Sequence, residues 1–261
     1  MSKQEIIKII KIGGAIINDS EALKSFLMAF SKITGPKVLV HGGGKSATKL
    51  ANQMNIPVTM VDGRRVTDAE TLEIITMTYA GKINKNIVAI LQKNACNAMG
   101  FSGADANTIV AKKRPVKEVD FGFVGDVVAV NTDIISMLFD YHITPVFCAI
   151  SHDENGQLLN TNADTIASEL AIGLSKDFRV DLYYCFEKNG VLRVMEDENS
   201  IICNINAESY KELKKEKIIS EGMLPKIDNC FYALEHGVSK VCIGNTGMLF
   251  NQNTKYTTVT L

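Results

Sequence analysis

Short apolar stretches and amphipathic stretches alternate along the whole chain. Runs rich in Ile and Val, such as Ile6–Ile12 and Val38–Val40, have the length and composition of buried strands. Between them, apolar residues recur every three or four positions, as in helices that cover a sheet with one face. Because strands and helices alternate in this way, the pattern predicts an α/β fold.

The same pattern gives approximate bounds for the elements. Ser20 is the predicted N-cap of the first helix, and the long helix over 68–94 is expected to build the core or a subunit contact. The predicted strands cover 6–12, 38–40, 143–150, 180–186, 191–195, 239–243 and 256–260. The predicted helices cover 20–31, 45–54, 68–94, 132–140, 163–173, 207–215 and 223–236.

Two stretches depart from this alternation. Short strands spaced by glycines between 98 and 131 predict a β-hairpin insertion that includes 121–130. Asn155-Gly156 is a strong signal for a second hairpin turn. The segment 175–185 marks a predicted boundary between two lobes, 1–175 and 176–261. Since no low-complexity linker separates the lobes, we expect them to share one continuous sheet.

Composition narrows the class of protein. The chain has 261 residues, of which 46% are hydrophobic and 22% charged, enough for a sizeable buried core. Its net charge of −1 argues against a nucleic-acid or membrane-surface partner. The N-terminus has no signal-peptide layout, and no apolar run approaches the about 18 residues that span a bilayer. The six cysteines form no C-x-x-C pair and no metal-like cluster, so we expect reduced, mostly buried thiols, a cytoplasmic protein and no metal ligands.

Residues 38–46, VLVHGGGKS, end like a nucleotide-binding P-loop. The P-loop pattern would require a glycine at position 39, where the chain has Leu39. What remains is a buried strand, three glycines and a helix. Glycines let a ligand approach the backbone N–H groups, and the helix N-terminus favours an anion. The stretch therefore predicts an anion-binding loop that differs from an ATP P-loop; the alternative is a tight turn without a ligand.

Lys11 ends an apolar strand directly before Gly13-Gly14. Strand alternation places its side chain on the face of Ile9, opposite Ile10. A lysine at the carboxyl end of a strand opens into the crevice where α/β sheets hold ligands, although a lysine can also reach solvent from such a position. Together with the glycines at 42–44, this second glycine-rich strand end suggests that one anionic group is cradled from both sides.

Three further stretches suit a small anionic substrate. VDGRRVTD offers Arg64 and Arg65, either of which can clamp a carboxylate through two N–H groups. LLNTNADTIA places Asn160, Asn162 and Asp164 at a helix start, where capping alone would explain one of them. EGMLPKID places Lys226 just inside another helix start, where an ordinary surface lysine is the alternative.

At this point the chain resembles the amino acid kinase family, and within it the kinases that phosphorylate N-acetylglutamate in arginine biosynthesis. One motif alone, such as K-x-G-G, would indicate only the wider group of carbamate, aspartate and UMP kinases. The resemblance runs from about Ile7 to Leu261 and is carried by many motifs in order. They are KIGGA (11–15), VHGGG (40–44), DGRRVT (62–67), GKINKNIV (81–88), GFVGDVVAVN (122–131), LNTNAD (159–164) and EGMLPKI (221–227).

The resemblance implies a fold and a reaction. The fold is a three-layer αβα sandwich around a mainly parallel open sheet. The reaction is phosphoryl transfer from ATP with Mg²⁺, the metal held mainly by the phosphates, to the γ-carboxylate of an N-acyl-L-glutamate. Lys11 and Lys226 would stabilise the phosphoryl group in flight, and Asp164 would orient the two lysines. An ionised carboxylate nucleophile has no proton to remove, so charge neutralisation and positioning remain for the protein.

The resemblance also assigns the binding groups. Gly14, Gly43 and Gly44 would donate backbone N–H groups to the phosphoryl group and the substrate. Arg65, helped by Asn160, would hold the substrate α-carboxylate. Lobe 1–175 would bind the acylglutamate and dimerise, and lobe 176–261 would bind the nucleotide.

The nucleotide segment departs from the family pattern. A small hydroxyl residue, an Asp and an apolar residue usually precede a glycine there, whereas this chain has Cys-Phe-Glu-Lys-Asn-Gly over 185–190. The candidates for adenine and ribose contacts lie in the 186–192 loop and just before the last predicted long helix. They are Phe186, Glu187, Lys188, Gly190, Ile218, Ile219 and Ser220.

Several alternatives stay open. The acyl group is acetyl by family default, but an altered pocket could take a larger, charged group such as succinyl. The chain starts almost directly at its first strand, so we expect a homodimer without feedback by arginine. Competing functions are a non-catalytic amino-acid-binding regulator and a kinase with another acceptor, such as carbamate or aspartate. The pair Lys11 and Lys226 argues against the regulator, and the long DGRRVT and LNTNAD matches argue against another acceptor.

Overall fold

The computed structural model describes residues 5–219 and 223–261. A π-helical segment (Met77–Ile83) joins α4 to α5, and a 3₁₀ turn (Asp105–Asn107) precedes β6. The strands in the described part are β1 (Ile6–Ile12), β2 (Lys37–His41), β3 (Met60–Val61), β4 (Arg64–Arg65), β5 (Ala98–Phe101), β6 (Ile109–Lys113), β7 (Gly125–Val130), β8 (Thr144–Cys148), β9 (Ile150–His152), β10 (Leu158–Asn160), β11 (Arg179–Cys185), β12 (Asn204–Ile205), β13 (Lys240–Gly244) and β14 (Thr257–Val259). The helices there are α1 (Gly14–Asn18), α2 (Ser20–Ser31), α3 (Gly44–Gln53), α4 (Ala69–Thr76), α5 (Asn84–Lys93), α6 (Thr132–Asp140), α7 (Ala163–Ser175), α8 (Ala207–Lys215), α9 (Leu224–Glu235) and α10 (Gly247–Phe250).

An eight-stranded sheet runs through both halves of the chain in the order β12-β14-β13-β11-β1-β2-β8-β5. Its pairings are parallel except for β13 with β14, which is antiparallel. β1 lies between β2 from the first half and β11 from the second. The predictions of a mainly parallel open sheet and of one sheet shared by both halves are therefore confirmed.

Helices cover both faces of this sheet, and the alternation of β1 separates the two cores. Ile9 packs in a cluster with Ile166 of α7 and Ile227 of α9. Ile10 belongs to the opposite cluster, with Leu27 of α2 and Ile87 of α5. Each such fully buried side chain contributes roughly 1.5–3 kcal/mol of transfer free energy. The three-layer sandwich is confirmed, and Lys11, which shares the face of Ile9, points toward α7 and α9.

Strands between residues 60 and 160 also form two smaller sheets. One contains four strands in the order β10-β9-β6-β7, and the other pairs β3 with β4. The backbone of Thr67 donates to Phe121 O (2.9 Å) and accepts from Phe123 N (2.7 Å). Asn160 N in turn donates to Phe123 O (2.9 Å). These bonds attach the loop between β6 and β7 to the segments that carry the predicted acceptor residues.

Several element predictions are corrected in detail. The first long helix begins at Ser20 but is capped by Asp19, whose Oδ1 accepts from Glu21 N (2.9 Å) and Ala22 N (3.0 Å). Its carboxylate is a stronger acceptor than the predicted Ser20 hydroxyl. The helix over 68–94 is interrupted by the π-helical segment, which apolar residues three or four positions apart did not distinguish from a continuous α-helix.

Two predicted strands also differ. Residues 191–195 form no strand, and only Leu192 bridges Ile201 there. Backbone bonds from Arg193 N to Ser200 O (2.8 Å) and from Ile202 N to Val191 O (2.9 Å) flank this bridge. The Ser200 hydroxyl then accepts from Val194 N (3.0 Å), and the backbone pairing ends there. The strand predicted over 143–150 ends at Cys148, and a separate strand, β9, follows it into the four-stranded sheet.

Both hairpin predictions identify real turns. Asn155-Gly156 connects β9 to antiparallel β10, with Gly156 at φ +83°. The predicted insertion is the β6–β7 hairpin, although 121–130 supplies only its loop and second strand.

Of the six cysteines, which all lie in the described part, Cys203 is exposed and the other five are buried. Among the described residues, none of the helices combines the length and apolar character needed to cross a bilayer.

Candidate active site

Two lysines from distant parts of the chain contact one carboxylate. Lys11 Nζ at the end of β1 lies 2.7 Å from Asp164 Oδ1, and Lys226 Nζ in the first turn of α9 lies 2.6 Å from Asp164 Oδ2. The side chains of Lys11 and Asp164 are each only 14% exposed, and that of Lys226 is 32% exposed. The three groups therefore form one compact cluster at the carboxyl edge of the sheet.

The start of α7 explains why Asp164 is available for the lysines. Asn162 is the N-cap, and its side-chain oxygen accepts from Asp164 N (2.7 Å) and more weakly from Thr165 N (3.4 Å). The buried Tyr184 hydroxyl of β11 donates to Asp164 O (3.2 Å). Because Asn162 caps the helix, the Asp164 carboxylate is free to accept from both ammonium groups.

The cluster keeps Asp164 ionised. Burial alone would raise the pKa of its carboxyl, but the charges of Lys11 and Lys226 and their hydrogen bonds outweigh burial and bring the pKa from 3.8 down to about 2. A carboxylate with this pKa does not take up a proton near neutral pH. The two ammonium groups and one carboxylate leave this cluster with a net charge of +1.

Glycine loops present backbone N–H groups beside this cluster. Gly13 O accepts from Ile17 N (3.3 Å), and Gly43 O accepts from Ala47 N (3.0 Å). A trans peptide directs its C=O and its N–H in opposite directions. The N–H groups of Gly14 and Gly44, which share those two peptides, therefore point away from the helices.

A side-chain bridge links the helices that follow the two glycine loops. The Asn18 amide donates to the carbonyl of Gly14 in a very short hydrogen bond. The same side chain accepts from the Ser46 hydroxyl of α3 (3.0 Å). This bridge connects α1 to α3, and sequence reasoning missed it because both residues look like ordinary surface positions.

The predicted acceptor-side residues lie together. Arg65 donates to Gly44 O (3.1 Å) and to the Thr48 hydroxyl (2.7 Å), whereas Arg64 is exposed. Asn160 donates to the hydroxyl of Thr67 (3.0 Å), two residues beyond Arg65. Of the two arginines that the sequence left open, Arg65 is the one that contacts the glycine loop.

The predicted nucleotide-side residues are more dispersed. A cavity of about 630 Å³ is lined by Phe186 and Glu187 and by Ile16 of α1, two residues beyond Gly14. Lys188 pairs with Glu198 at 2.9 Å, and Glu198 also lines the cavity. Gly190 is buried and does not line the cavity itself, but an added Cβ there would lie 2.8 Å from Ile201, which does, and 2.8 Å from Thr257.

The remaining nucleotide candidates come from one short segment. Ile219 is buried in the core and Ile218 packs against it, so neither lines the cavity. Ser220 lies outside the described residues. Sequence reasoning missed cavity residues that follow β13, although a strand ending in Gly-Asn-Thr-Gly is the same kind of signal that identified Lys11. These residues are Asn245, Thr246, Gly247, Asn253, Thr254 and Lys255.

Comparison with known proteins agrees with this geometry. The model of the amino acid kinase family matches residues 7–245. The chain belongs to the amino acid kinase family. An acetylglutamate kinase from Cytophaga hutchinsonii is 55% identical over 236 residues, which cover 90% of this chain and 89% of that protein. The chloroplastic acetylglutamate kinase of Arabidopsis thaliana is 35% identical over 238 residues, covering 90% of this chain and 67% of that protein.

A similar fold is found in a protein with much lower sequence identity. Carbamate kinase from Giardia lamblia bound to AMP-PNP superposes with a TM-score of 0.70 at 14% identity, covering 99% of each chain. At this identity the likeness concerns the fold alone. The amino acid kinase fold predicted from the sequence motifs is thereby confirmed.

Gly43 of this amino acid kinase packs so closely that a side chain would not fit. A Cβ there would lie 2.5 Å from Ile83 Cδ1 and 2.7 Å from Tyr79 Cδ1, both in the π-helical segment. We expect Gly43→Ala to lower the free energy of unfolding by about 1–3 kcal/mol, because the overpacked helix must shift. Thermal unfolding measures this as a melting temperature lower by roughly 3–10 °C.

Gly44→Ala is the matched control for Gly43→Ala. Among the described residues, a Cβ at position 44 would meet only Tyr79 Oη, at 3.9 Å, so the melting temperature of Gly44→Ala should stay within about 2 °C of wild type. Equal melting temperatures for the two variants would contradict the close packing of Gly43 on the π-helical segment.

Proposed function

We propose that this chain transfers the γ-phosphoryl group of ATP to the γ-carboxylate of an N-acyl-L-glutamate, with N-acetyl-L-glutamate as the acceptor, in arginine biosynthesis. The convergence of Lys11 and Lys226 on Asp164 carries the proposal, because it places two ammonium groups where donor and acceptor would meet. The name acetylglutamate kinase, borne by relatives more than half identical, supports the choice of acceptor.

The proposed mechanism relies on charge neutralisation. The acceptor γ-carboxylate is already ionised at neutral pH, so no general base is required for its attack on the phosphorus. Lys11 and Lys226 lower the energy of the negative charge on the equatorial oxygens of the phosphoryl group. The N–H groups of Gly14 and Gly44 donate to the same oxygens, and Asp164 keeps both lysines in place. Preorganised donors of this kind act without reorganisation in the transition state.

The acceptor would lie beside the second glycine loop. Arg65 is already oriented by Gly44 O and the Thr48 hydroxyl, so one edge of its guanidinium can hold the α-carboxylate. Asn160, held by Thr67, would contribute a second contact to the same end of the substrate. These residues all precede position 175, in agreement with the proposed acylglutamate lobe.

ATP would occupy the 630 Å³ cavity, which has the size of a typical ligand site. Apart from Ile16 of α1, its lining residues lie between 186 and 255, which supports a nucleotide lobe over 176–261. Each Asp164 oxygen already lies within 2.7 Å of an ammonium group, so this carboxylate is paired with cations of the chain itself and is a poor candidate to ligate a metal. We therefore propose that Mg²⁺ arrives with ATP on phosphate oxygens, where it would offset negative charge.

The decisive experiment measures ADP release with MgATP and one acceptor at a time. N-acetyl-L-glutamate, N-succinyl-L-glutamate, free glutamate and aspartate are compared, and hydroxylamine traps any acyl phosphate as a hydroxamate. We expect acceptor-dependent ADP and hydroxamate with an N-acylglutamate, highest with the acetyl compound. Preference for the succinyl compound would change the acyl group, and no acceptor-dependent ADP from any of the four would overturn the kinase proposal. The homodimer and the cytoplasmic location stay predictions.

A further inference from the structure

The histidine before the glycine loop is completely buried and makes two specific polar contacts. His41 ends β2 with no exposed surface. Its Nδ1 lies 2.8 Å from the carbonyl oxygen of Gly42, the first glycine of the loop. Its Nε2 lies 3.1 Å from the amide nitrogen of Asn84, the first residue of α5. The ring therefore connects the glycine loop to the helix beneath it.

Asn84 determines which ring nitrogen of His41 carries the proton. Its amide nitrogen also donates to Val146 O of β8 (2.9 Å), and its oxygen faces Lys85 Nζ (3.3 Å). Turning the amide over would set two acceptors against each other at Val146 and two donors against each other at Lys85. Since the amide nitrogen is the donor, His41 Nε2 is the acceptor and Nδ1–H donates to Gly42 O.

This arrangement controls the direction of one further backbone donor. Gly42 C=O and Gly43 N–H belong to one planar trans peptide, so they point in opposite directions. Because Gly42 O points toward His41, Gly43 N–H points away from His41. Within residues 5–219 and 223–261, the structure records no acceptor for that N–H. The N–H of Gly44 is directed by α3, but that of Gly43 depends on His41.

We propose that His41 and Asn84 form a positioning pair that directs the N–H of Gly43 at the phosphoryl group or the acceptor γ-carboxylate. The inference rests on the proposed function, since it assigns a role within the same glycine loop. Neither residue touches the substrate; both act through the Gly42-Gly43 peptide.

The neighbouring strand β5 leaves space for the side chain of Asn84. A Cβ at position 100 of β5 would lie 1.8 Å from Asn84 Oδ1, so the neighbouring strand has glycine there. Packing alone would be served by apolar residues at 41 and 84, since a buried polar pair must be fully hydrogen-bonded to avoid a desolvation cost. Burial lowers the pKa of His41 to about 4, against a small opposing effect of its bond to Gly42, and so keeps Nε2 free to accept.

The first test observes the tautomer directly and needs no activity. A long-range ¹H–¹⁵N correlation spectrum at pH 7 distinguishes a protonated from an unprotonated ring nitrogen in each of the four histidines. The His41 signals are assigned by their loss in His41→Asn. We expect Nδ1–H with unprotonated Nε2 in the wild type, and a loss of this single form in Asn84→Ala. An Nε2–H tautomer in the wild type would overturn the proposal.

The second test separates positioning from a purely structural role. His41→Leu removes both hydrogen bonds, whereas the amide of His41→Asn keeps a donor close to the Nδ1 position. We expect kcat of His41→Leu to fall about 10–100-fold, less than complete loss of one oxyanion donor, with KM for ATP within about threefold of wild type. His41→Asn should recover most of that loss. Assays are run well below each variant's melting temperature.

The exposed His142 provides the matched control, because its left-handed backbone (φ +55°) accommodates asparagine in His142→Asn. We expect His142→Asn to have the kcat and the KM for ATP of the wild type. Unchanged kcat in His41→Leu, or equal losses in His41→Leu and His41→Asn, would overturn the proposal. If His41→Leu does not fold, the proposal is tested by the tautomer of His41 in the wild type and by the kcat of His41→Asn, which should stay close to the wild-type value. Absence of any acceptor-dependent ADP in the wild type would instead refute the proposed function, with the tautomer still measurable.

Discussion

Lys11→Met is expected to lower kcat by about 10²–10³-fold, the cost of one preorganised charge at a developing oxyanion. Methionine keeps most of the apolar stem of the lysine and therefore its packing along β1, but it removes the ammonium group that faces the cleft. Lys226→Met should have an effect of the same size, since both ammonium groups contact the same carboxylate. Steady-state ADP release at saturating MgATP and N-acetyl-L-glutamate measures kcat.

The double variant, which combines Lys11→Met with Lys226→Met, gives a sharper test of this mechanism. Groups that act as a unit are not additive, so the combined loss of Lys11 and Lys226 should be smaller than the product of the two single losses. Lys8→Met is the matched control, because Lys8 lies on the same strand but near its opposite end, with Nζ 3.4 Å from Thr34 O. We expect wild-type kcat from this control. A Lys11→Met enzyme with nearly normal kcat would remove the basis of the proposed mechanism.

Local pattern was sufficient for the position of Lys11 but not for its partners. Strand alternation and the following glycines placed its side chain at the carboxyl edge, on the face of Ile9, and the structure agrees. Its meeting with Asp164 and Lys226 depends on how α7 and α9 pack on the sheet. No periodicity within a short window contains that information, so only the resemblance carried it. The same holds for the choice of Arg65 over Arg64.

Other features escape the sequence for equally physical reasons. The π-helical segment is only seven residues long, too short for its wider turns to stand out from the α-helical pattern on either side. His41 and Asn84 are separated by 43 residues, and each looks like a polar residue at the end of an element. On the nucleotide side, Asn245 and its neighbours line the same cavity as Phe186 because β13 pairs with β11, and local pattern does not reveal that pairing.

Asp164→Asn is expected to lower kcat by at least about 10²-fold, although Asp164 itself exchanges no proton. The substitution removes the charge that holds two ammonium groups within 2.7 Å of one side chain. Without it the lysines repel each other, and neither keeps its orientation toward the phosphoryl group. The control is Asp126→Asn, since Asp126 forms a comparable ion pair at 2.6 Å, but with Arg114 alone among the residues that the structure describes. Normal kcat in Asp164→Asn would contradict the orienting role.

The same variant should reveal the ionised state of Asp164 through the dependence of stability on pH. The pKa of this carboxyl is about 2 in the folded protein, below its ordinary 3.8, so the folded state favours the ionised form. The associated stabilisation, about 2 kcal/mol, is fully present above about pH 5 and is lost as the pH falls toward 2. The amide that replaces the carboxyl in Asp164→Asn cannot ionise, and other carboxylates contribute equally in both proteins. Denaturant unfolding should therefore show the wild type more stable than Asp164→Asn at pH 6, with the difference smaller by about 1 kcal/mol at pH 3. A difference that stays constant between these pH values would show that the two lysines do not hold the carboxylate ionised.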